Sequence, residues 1–434
     1  MQARTQGMRS SSCYEMKYTI DDAPNMWNVQ YNVLRRANRL IEAVENNKIT
    51  DAEKNQANVN NIYAQAKSVR ALVHFDLVKV YGMPYSFDNG ASMGVPIVTT
   101  PIDPLNASAI PGRNTVAEVY AQIVKDLTEA IDSKALNVSK SAGDNQGFID
   151  EWAAKALLTR VYIYMGKNQE ALDMAKNIIE NSPYSLWTKA QYANAWDKNN
   201  ANHINEMIFE LVNSGSDDWA DREGIAYLYH EDGYADAICT KSFVDMLAQD
   251  PSDVRLDVIL PVQLKTDDNG KPTDMYKTYG DNRIFINKFP MGSLGDMRLN
   301  NLPILRLSEV YLNAAEAAAK LNDKTSTAKY LNEIIKNRTD DTKQLVTEST
   351  ATLERVLLER RKELVGEGQR FFDAMRNNET VTRYTNEDEK GWHYSINKES
   401  QVFDRTYFRT ILPIPVSETN ATVSYTHLTL PTNS

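Results

Sequence analysis

Metal chemistry needs ligands gathered at short, regular spacings, and the histidines of this chain are not so arranged. His74, His203, His230, His393 and His427 are scattered, with no His-x-x-x-His pair and no Cys-x-x-Cys. His74 lies beside Phe75 in a helical pattern and reads as a packed core residue. Asp267-Asp268-Asn269-Gly270 could open a calcium loop, but the remaining ligands and the closing Glu are missing. A hairpin turn over 258–279 is expected there instead. Nucleotide chemistry has no better support: neither G-x-x-x-x-G-K-[ST] nor G-x-G-x-x-G between a strand and a helix occurs. Gly366-Glu367-Gly368 sets an acid between its glycines, which would repel a phosphate, and reads as a junction between helices. No metal and no cofactor is expected.

Acid–base chemistry is no better marked. Glycoside hydrolysis needs two carboxylates roughly 5–9.5 Å apart across a cleft, one of them with a raised pKa. The chain has 58 acidic residues, but none stands in a recognisable catalytic context. No G-x-S-x-G elbow occurs either, so a non-enzymatic protein is expected. The most charged helical stretch is ERRKEL. Its Glu359, Arg360, Arg361, Lys362 and Glu363 read as a solvated helix face, with ion pairs worth about a few tenths of a kcal/mol each.

Aromatic side chains are the better lead. Between residues 182 and 300 helical periodicity fades and aromatics rise. A Trp or Tyr ring offers a flat apolar face with a polar tip and costs little entropy to order. The C–H face of a sugar ring can stack on it while nearby Asn and Asp side chains accept hydrogen bonds from its hydroxyls. Trp187, Trp196, Trp219, Tyr227, Tyr229, Tyr234, Tyr276 and Tyr279 are the candidate ligand-binding residues, with Asp217, Asp218, Glu231, Asp232 and Asp236 among them. The same rings could instead cover the helical scaffold.

That scaffold must hold such loops in place. In 301–376, Leu307, Tyr311, Ala314, Ala318 and Leu321 share one helical face, crowded with small residues that let a second helix approach. Asn322-Asp323 breaks the pattern, and Ala328, Leu331, Ile334 and Ile335 begin a partner helix. This is a tetratricopeptide-like helix pair, a unit that must stack on neighbours to bury its face. A second pair fits 151–180, through Ala154, Leu158, Val161 and Met165, a stop at Gly166, and a restart at Ala171. Further stripes run Val29, Val33, Ala37, Leu40, Val44 and Ala66, Val69, Val73, Leu77, Val80. Thr115 and Glu118 form a capping-box signature ahead of Val116, Tyr120, Ile123, Leu127 and Ala130. The reading is a mainly α protein of tetratricopeptide-like pairs with long irregular loops and a few short strands. Helical scaffold is expected over 27–181 and 301–376, with a loop-rich, ligand-facing insertion over 182–300, all within one domain over 1–422. The connector 81–113, rich in Pro and Gly, should cross the surface.

Of 434 residues, 42% are hydrophobic and 24% charged, with no apolar run long enough for a membrane span. The net charge of −10 speaks against nucleic acid as a direct partner. Cys13 and Cys239 are too few for a disulfide framework. Cys13 follows three serines and has no apolar run before it, so it is not expected to carry a lipid. The stretch 423–434, reading VSYTHLTLPTNS, looks like translated adaptor sequence and is expected to be an artefactual tail.

Taken together, these segments resemble the SusD/RagB family of nutrient-binding outer-membrane lipoproteins of Bacteroidetes. WNVQYNVLRRANRL at 27–40 is similar to the family's W-x-x-x-Y…A-N helix. AKSVRALVHFDLVKVYGMP at 66–84, followed by G-x-P at 94–96, resembles the next segment, and 113–130 resembles R-x-T-V-x-E-V-Y…D-L-x-x-A. LRLSEVYLNAAEA at 305–317 and ERRKELVGEGQRFFD at 359–373 resemble its two most recognisable segments, and P-I-P at 413–415 its late motif. The resemblance implies a helical protein that docks on a SusC-like, TonB-dependent transporter and captures oligosaccharides, or in the RagB branch peptides, unaltered. It also implies an outer-membrane, cell-surface location through a lipid anchor, expected to belong to a longer parent protein. A helical-repeat adaptor for another protein is the remaining alternative.

Overall fold

A computed structural model of the chain describes residues 2–3, 11–20, 23–101, 111–196, 203–213, 224–229, 237–259, 285–289, 296–384, 396 and 398–421. Helices dominate. α1 (Trp27–Glu45) packs on α2 (Gln56–Tyr81), α2 on α3 (Val116–Asp132), α3 on α4 (Glu151–Met165), and α4 on α5 (Asn168–Asn181). Short helices follow: α6 (Lys189–Ala195), α7 (Ile225–Tyr229), α8 (Lys241–Leu247) and α9 (Val254–Ile259). α10 (Leu307–Lys320) then returns to pack on α4 and α5 and on its successors α11 (Lys324–Lys336) and α12 (Leu353–Glu363). α13 (Arg370–Arg376) follows, and a last turn, α14 (Val416–Ala421), closes the described residues.

Local chemistry explains where these helices start and stop. Thr115 accepts from the Glu118 N–H while the Glu118 carboxylate accepts from the Thr115 N–H, so α3 opens with a complete capping box. Asp150 caps α4 by accepting from Ala153 N–H at 2.8 Å. α4 ends at Gly166, whose φ of 71° is the left-handed conformation that a residue without a Cβ adopts freely. Asn322 (φ 61°) makes the corresponding turn between α10 and α11, and Asp323 caps the second helix. Ala314, Ala315, Ala317 and Ala318 are all fully buried, so four small side chains let α5, α11 and α12 crowd onto α10.

Three expectations need correction. α1 does not bury the stripe of Val29 and Val33: both are exposed, and its inner face is Trp27, Leu34, Ala37, Asn38 and Ile41. The determinant is polar. Asn38 donates to Val98 O at 2.9 Å and accepts from Arg70, which forks onto Asp126 at 2.6 and 2.8 Å. A buried side chain with every hydrogen bond made is at home in a core, and the apolar count along α1 passed over it. Second, residues 258 and 259 do not open a hairpin; they finish helix α9, whose Val258 packs beside Trp187 and Trp196. The rest of the expected hairpin lies outside the described residues. Third, Glu359, Arg360, Lys362 and Glu363 are not a solvated face: all four are buried.

A short antiparallel pair, β1 (Met207–Leu211) and β2 (Leu302–Arg306), stands where 182–300 leaves and rejoins the scaffold. β2 runs straight into α10, with Leu307 N–H donating to Glu206 O at 2.9 Å. His74 is core, as expected. Its Nδ1 lies 3.0 Å from Arg70 O and its Nε2 accepts from Val98 N–H at 3.2 Å, which fits a neutral ring. The connector after α2 is less superficial than expected, since Val95 and Val98 are buried. Gly90 (φ 79°) admits the close approach of α3, because a Cβ there would sit 2.7 Å from Ala117 N.

Candidate functional site

ERRKEL organises the middle of the molecule. Glu363 accepts from Arg306 (2.7 Å), Arg338 (2.9 Å) and Arg255 (3.2 Å), and Glu206 from Arg306 (2.8 Å) and Arg338 (3.1 Å). Lys288 and Glu367 extend this cluster, and Glu359 adds Arg255 at 2.5 Å. One turn away Arg360 holds Asp373 (2.7 Å) and Asn313 (2.7 Å), while Arg160 forks onto Glu309. Burial alone would raise the Glu359 carboxyl, but Arg255 and Arg355 bring it down to about 2. Burial lowers Lys288 to about 8 even with Glu367 beside it. In both clusters the partners replace hydration that burial removes. Together the clusters tie α4, α9, α10, α12 and α13 to the strand pair at the root of 182–300.

On the other side of α12 lies a cavity of about 590 Å³. Residues 359, 360 and 363 point into the ion clusters, so 361 falls on the opposite face of α12 by helical geometry, and 364 and 365 follow its last turn. Arg361, Leu364 and Val365 indeed line the cavity, with Phe371 and Phe372 from α13, Tyr14 and Phe403, and Tyr229 and Phe243 from α7 and α8. Both cysteines, Cys13 and Cys239, reach it, and burial pushes Cys239 up to about 12, which makes it inert. The lining is mostly apolar, broken by Arg361, Arg370, Arg383 and Arg409. Such a space can hold a small ring-shaped ligand on aromatic walls with guanidinium groups to orient it.

Tyr229 reaches the cavity through an aromatic chain. Its ring stacks on Phe289 at 5.7 Å and 25°, Phe289 meets Trp196 edge-on at 6.2 Å, and Trp196 meets Trp187 at 5.6 Å. Gly366 permits this: a Cβ there would press on the Phe289 ring at 3.1 Å. The architecture around that chain decides the family. A family model described as SusD family matches residues 133–427. A second, described as starch-binding associating with outer membrane, matches residues 1–163.

The chain belongs to the SusD family.

A crystal structure of a SusD superfamily protein from Bacteroides thetaiotaomicron is similar in fold and sequence: TM-score 0.85 and 37% identity, over 98% of this chain and 90% of that one. A SusD-like protein of Bacteroides ovatus is 23% identical over 80% of this chain, which spans 64% of that relative's length. A laminarin-binding SusD-like protein shares the fold at TM-score 0.68 and 22% identity, over 97% of this chain and 89% of that one. The matched family descriptions support glycan binding and outer-membrane association.

Against this SusD-family fold, the sequence-predicted aromatics separate. Trp187 and Trp196 are buried, at 1% and 2% exposure, with their faces covered by Tyr192, His203 and Lys288. No ring face is left for a ligand, so both act as packing behind Tyr229. Tyr229 lines the cavity, and burial raises its phenol to about 12. Tyr227 is half-buried on the same turn. Trp219, Tyr234, Tyr276 and Tyr279 lie outside the described residues. Sequence reasoning missed the arginine group. Its signal was Arg361, the one member of ERRKEL a half-turn off the face shared by Glu359 and Glu363. Among the described residues no group of His, Cys, Asp or Glu could hold a metal, and no helix is long and apolar enough to cross a membrane.

Proposed function

We propose that this protein captures nutrient oligosaccharides at the cell surface, without altering them, and passes them to a SusC-like TonB-dependent transporter. The observation that carries the reading is membership of the SusD family, whose matched description is starch-binding and outer-membrane-associated. The aromatic-walled cavity at Tyr229 supports it with a surface suited to a sugar ring. In this reading 1–422 is one domain, α1–α5 and α10–α13 are the rigid frame, and 182–300 faces the ligand with Trp219, Tyr227, Tyr229, Tyr234, Tyr276 and Tyr279. A lipid anchor in the parent protein would hold it at the outer membrane.

Thermal-shift screening against purified polysaccharides and, in parallel, mixed peptides tests the reading, since a ligand that binds only the folded state raises its stability. Stabilisation by a glycan is the expected outcome. Trp219→Ala and Tyr229→Ala should each weaken that glycan by about tenfold, Trp219→Ala with the melting curve of the free protein in place and Tyr229→Ala with a lowered one, since its ring packs on Phe289. Release of reducing ends during incubation would contradict the non-catalytic part, and stabilisation by peptides alone would replace the ligand class.

A further inference from the structure

The cavity beside α12 carries a charge pattern opposite to that of the whole molecule. The chain has a net charge of −10, yet among the described residues lining the cavity there are four arginines and no carboxylate. Three of the four are engaged, Arg409 through its guanidinium 4.9 Å from the Phe408 ring centre. Arg370 forks onto Glu379 at 2.7 and 3.0 Å. Arg383 donates to Ser400 O at 2.8 Å and to Tyr14 O, and rests 5.3 Å from the ring centres of Tyr14 and Phe403. Even so, Arg383 Nη2 is buried without a hydrogen-bond acceptor, and so is Arg409 Nε.

Arg361 stands apart. Each other charged member of ERRKEL is buried, Glu359, Arg360 and Glu363 within the ion clusters, whereas Arg361 makes no hydrogen bond or ion pair with any described residue. It is a largely enclosed cation beside a second cation, and burial and the Arg370 charge lower it to about 10 against the opposing pull of the Glu379 carboxylate, which Arg370 holds. An enclosed guanidinium loses hydration that only an anion or several acceptors can replace. Beside one buried acceptor, Gln369 Oε1, the polar atoms left open here are the guanidinium donors, set in walls of Phe371, Phe372, Phe403 and Tyr229.

We propose that this cavity is an anion subsite, which seats the carboxylate or sulfate of an acidic saccharide against Arg361 with the sugar's C–H face on the aromatic wall. This rests on the glycan-capture reading and adds the charge class of the glycan. A planar, five-donor guanidinium suits a carboxylate or sulfate oxygen pair, and the aromatic wall suits the pyranose ring that bears it. A neutral oligosaccharide would leave the donors unanswered and gain less.

Calorimetric titration of the full chain with trigalacturonate, a sulfated chondroitin tetrasaccharide and neutral maltotriose tests this, using wild type, Arg361→Gln, Arg361→Lys and Phe371→Ala. Among the described residues none hydrogen-bonds or ion-pairs with Arg361, so Arg361→Gln strands none of them and should melt with the wild type. An acidic sugar should bind wild type, weaken by about tenfold or more in Arg361→Gln, and be partly restored in Arg361→Lys. Raising salt from about 0.05 to about 0.5 M should erode wild-type binding of that sugar more than the residual binding of Arg361→Gln. Phe371→Ala should weaken the acidic sugar with its salt dependence retained. If maltotriose alone binds, or if an acidic sugar binds Arg361→Gln as well as it binds wild type, the anion subsite is overturned while glycan capture stands. If neither these three nor any glycan in the thermal-shift panel binds, both readings fall.

Discussion

At the scale of single residues, stability rests on polar groups that a hydropathy count assigns to the surface. Glu363 is fully buried and accepts from Arg255, Arg306 and Arg338. Glu363→Ala removes the anion that three buried cations share, leaving them only Glu206, Glu359 and their other carboxylates, and breaking a buried pair costs about 3–5 kcal/mol. Urea unfolding should show that loss, and a midpoint near wild type would mean that the cluster is hydrated in solution. His74 makes a second, independent prediction. Burial lowers its pKa from 6.5 to about 4. The native state therefore favours the neutral ring, and the unfolded chain takes up the proton first as pH falls. This contribution is complete above about pH 6.5, declines below it, and is exhausted near pH 4, at a cost of about 3 kcal/mol. Glu359, held at about 2, adds a separate loss as pH falls from about 4.5 towards 2. Stability measured against pH should decline across the upper window in wild type and stay flatter there in His74→Gln, whose amide replaces the ring without titrating.

Elements obey simpler rules, and these were readable. Thr115 with Glu118 announced α3, Gly166 the end of α4, and Asn322-Asp323 the turn into α11; in each case a local hydrogen bond or a left-handed residue does what its type suggested. Thr115→Ala should accordingly cost about 1 kcal/mol, seen as a lower thermal midpoint with unchanged ligand binding. Ala315→Leu should cost more, about 1–3 kcal/mol, because that position is fully buried where other helices close on α10. The same logic shows why other elements were misread. α1 has two apolar stripes, and the choice between them is made by Asn38 through partners on α2 and the following connector, which periodicity along α1 cannot register. ERRKEL was assigned to water because ion pairs on one helix are normally solvated; its partners Arg255, Arg306, Arg338 and Asp373 come from distant sequence. Composition marks Trp187 and Trp196 as ligand platforms, but Val254 and Val258 of α9 and the Phe289 ring pack against them.

For the molecule as a whole, the question is how the helical frame holds the long segment 182–300. The ion clusters and the β1–β2 pair fix both ends of 182–300 to the frame, through Glu206 at one end and Arg306 at the other. Arg255 and Lys288 fasten it again part-way. Residues 260–284 lie between these last two anchors, and their flanks are already joined: Asn287 N–H donates to Ile259 O at 3.1 Å. Replacing 260–284 by a short Gly/Ser linker should therefore leave the melting temperature within a few degrees of wild type, since a shorter closed loop changes chain entropy by only about 1 kcal/mol. The same variant discards Tyr276 and Tyr279, and under the glycan-capture reading it should bind the stabilising glycan more weakly. A melt lowered by ten degrees or so, well beyond the ~1 °C per kcal/mol of a chain this size, would show that 260–284 belongs to the frame. An unchanged melt with unchanged binding would instead confine recognition to the Tyr229 cavity, where Arg361 and Phe371 remain in place.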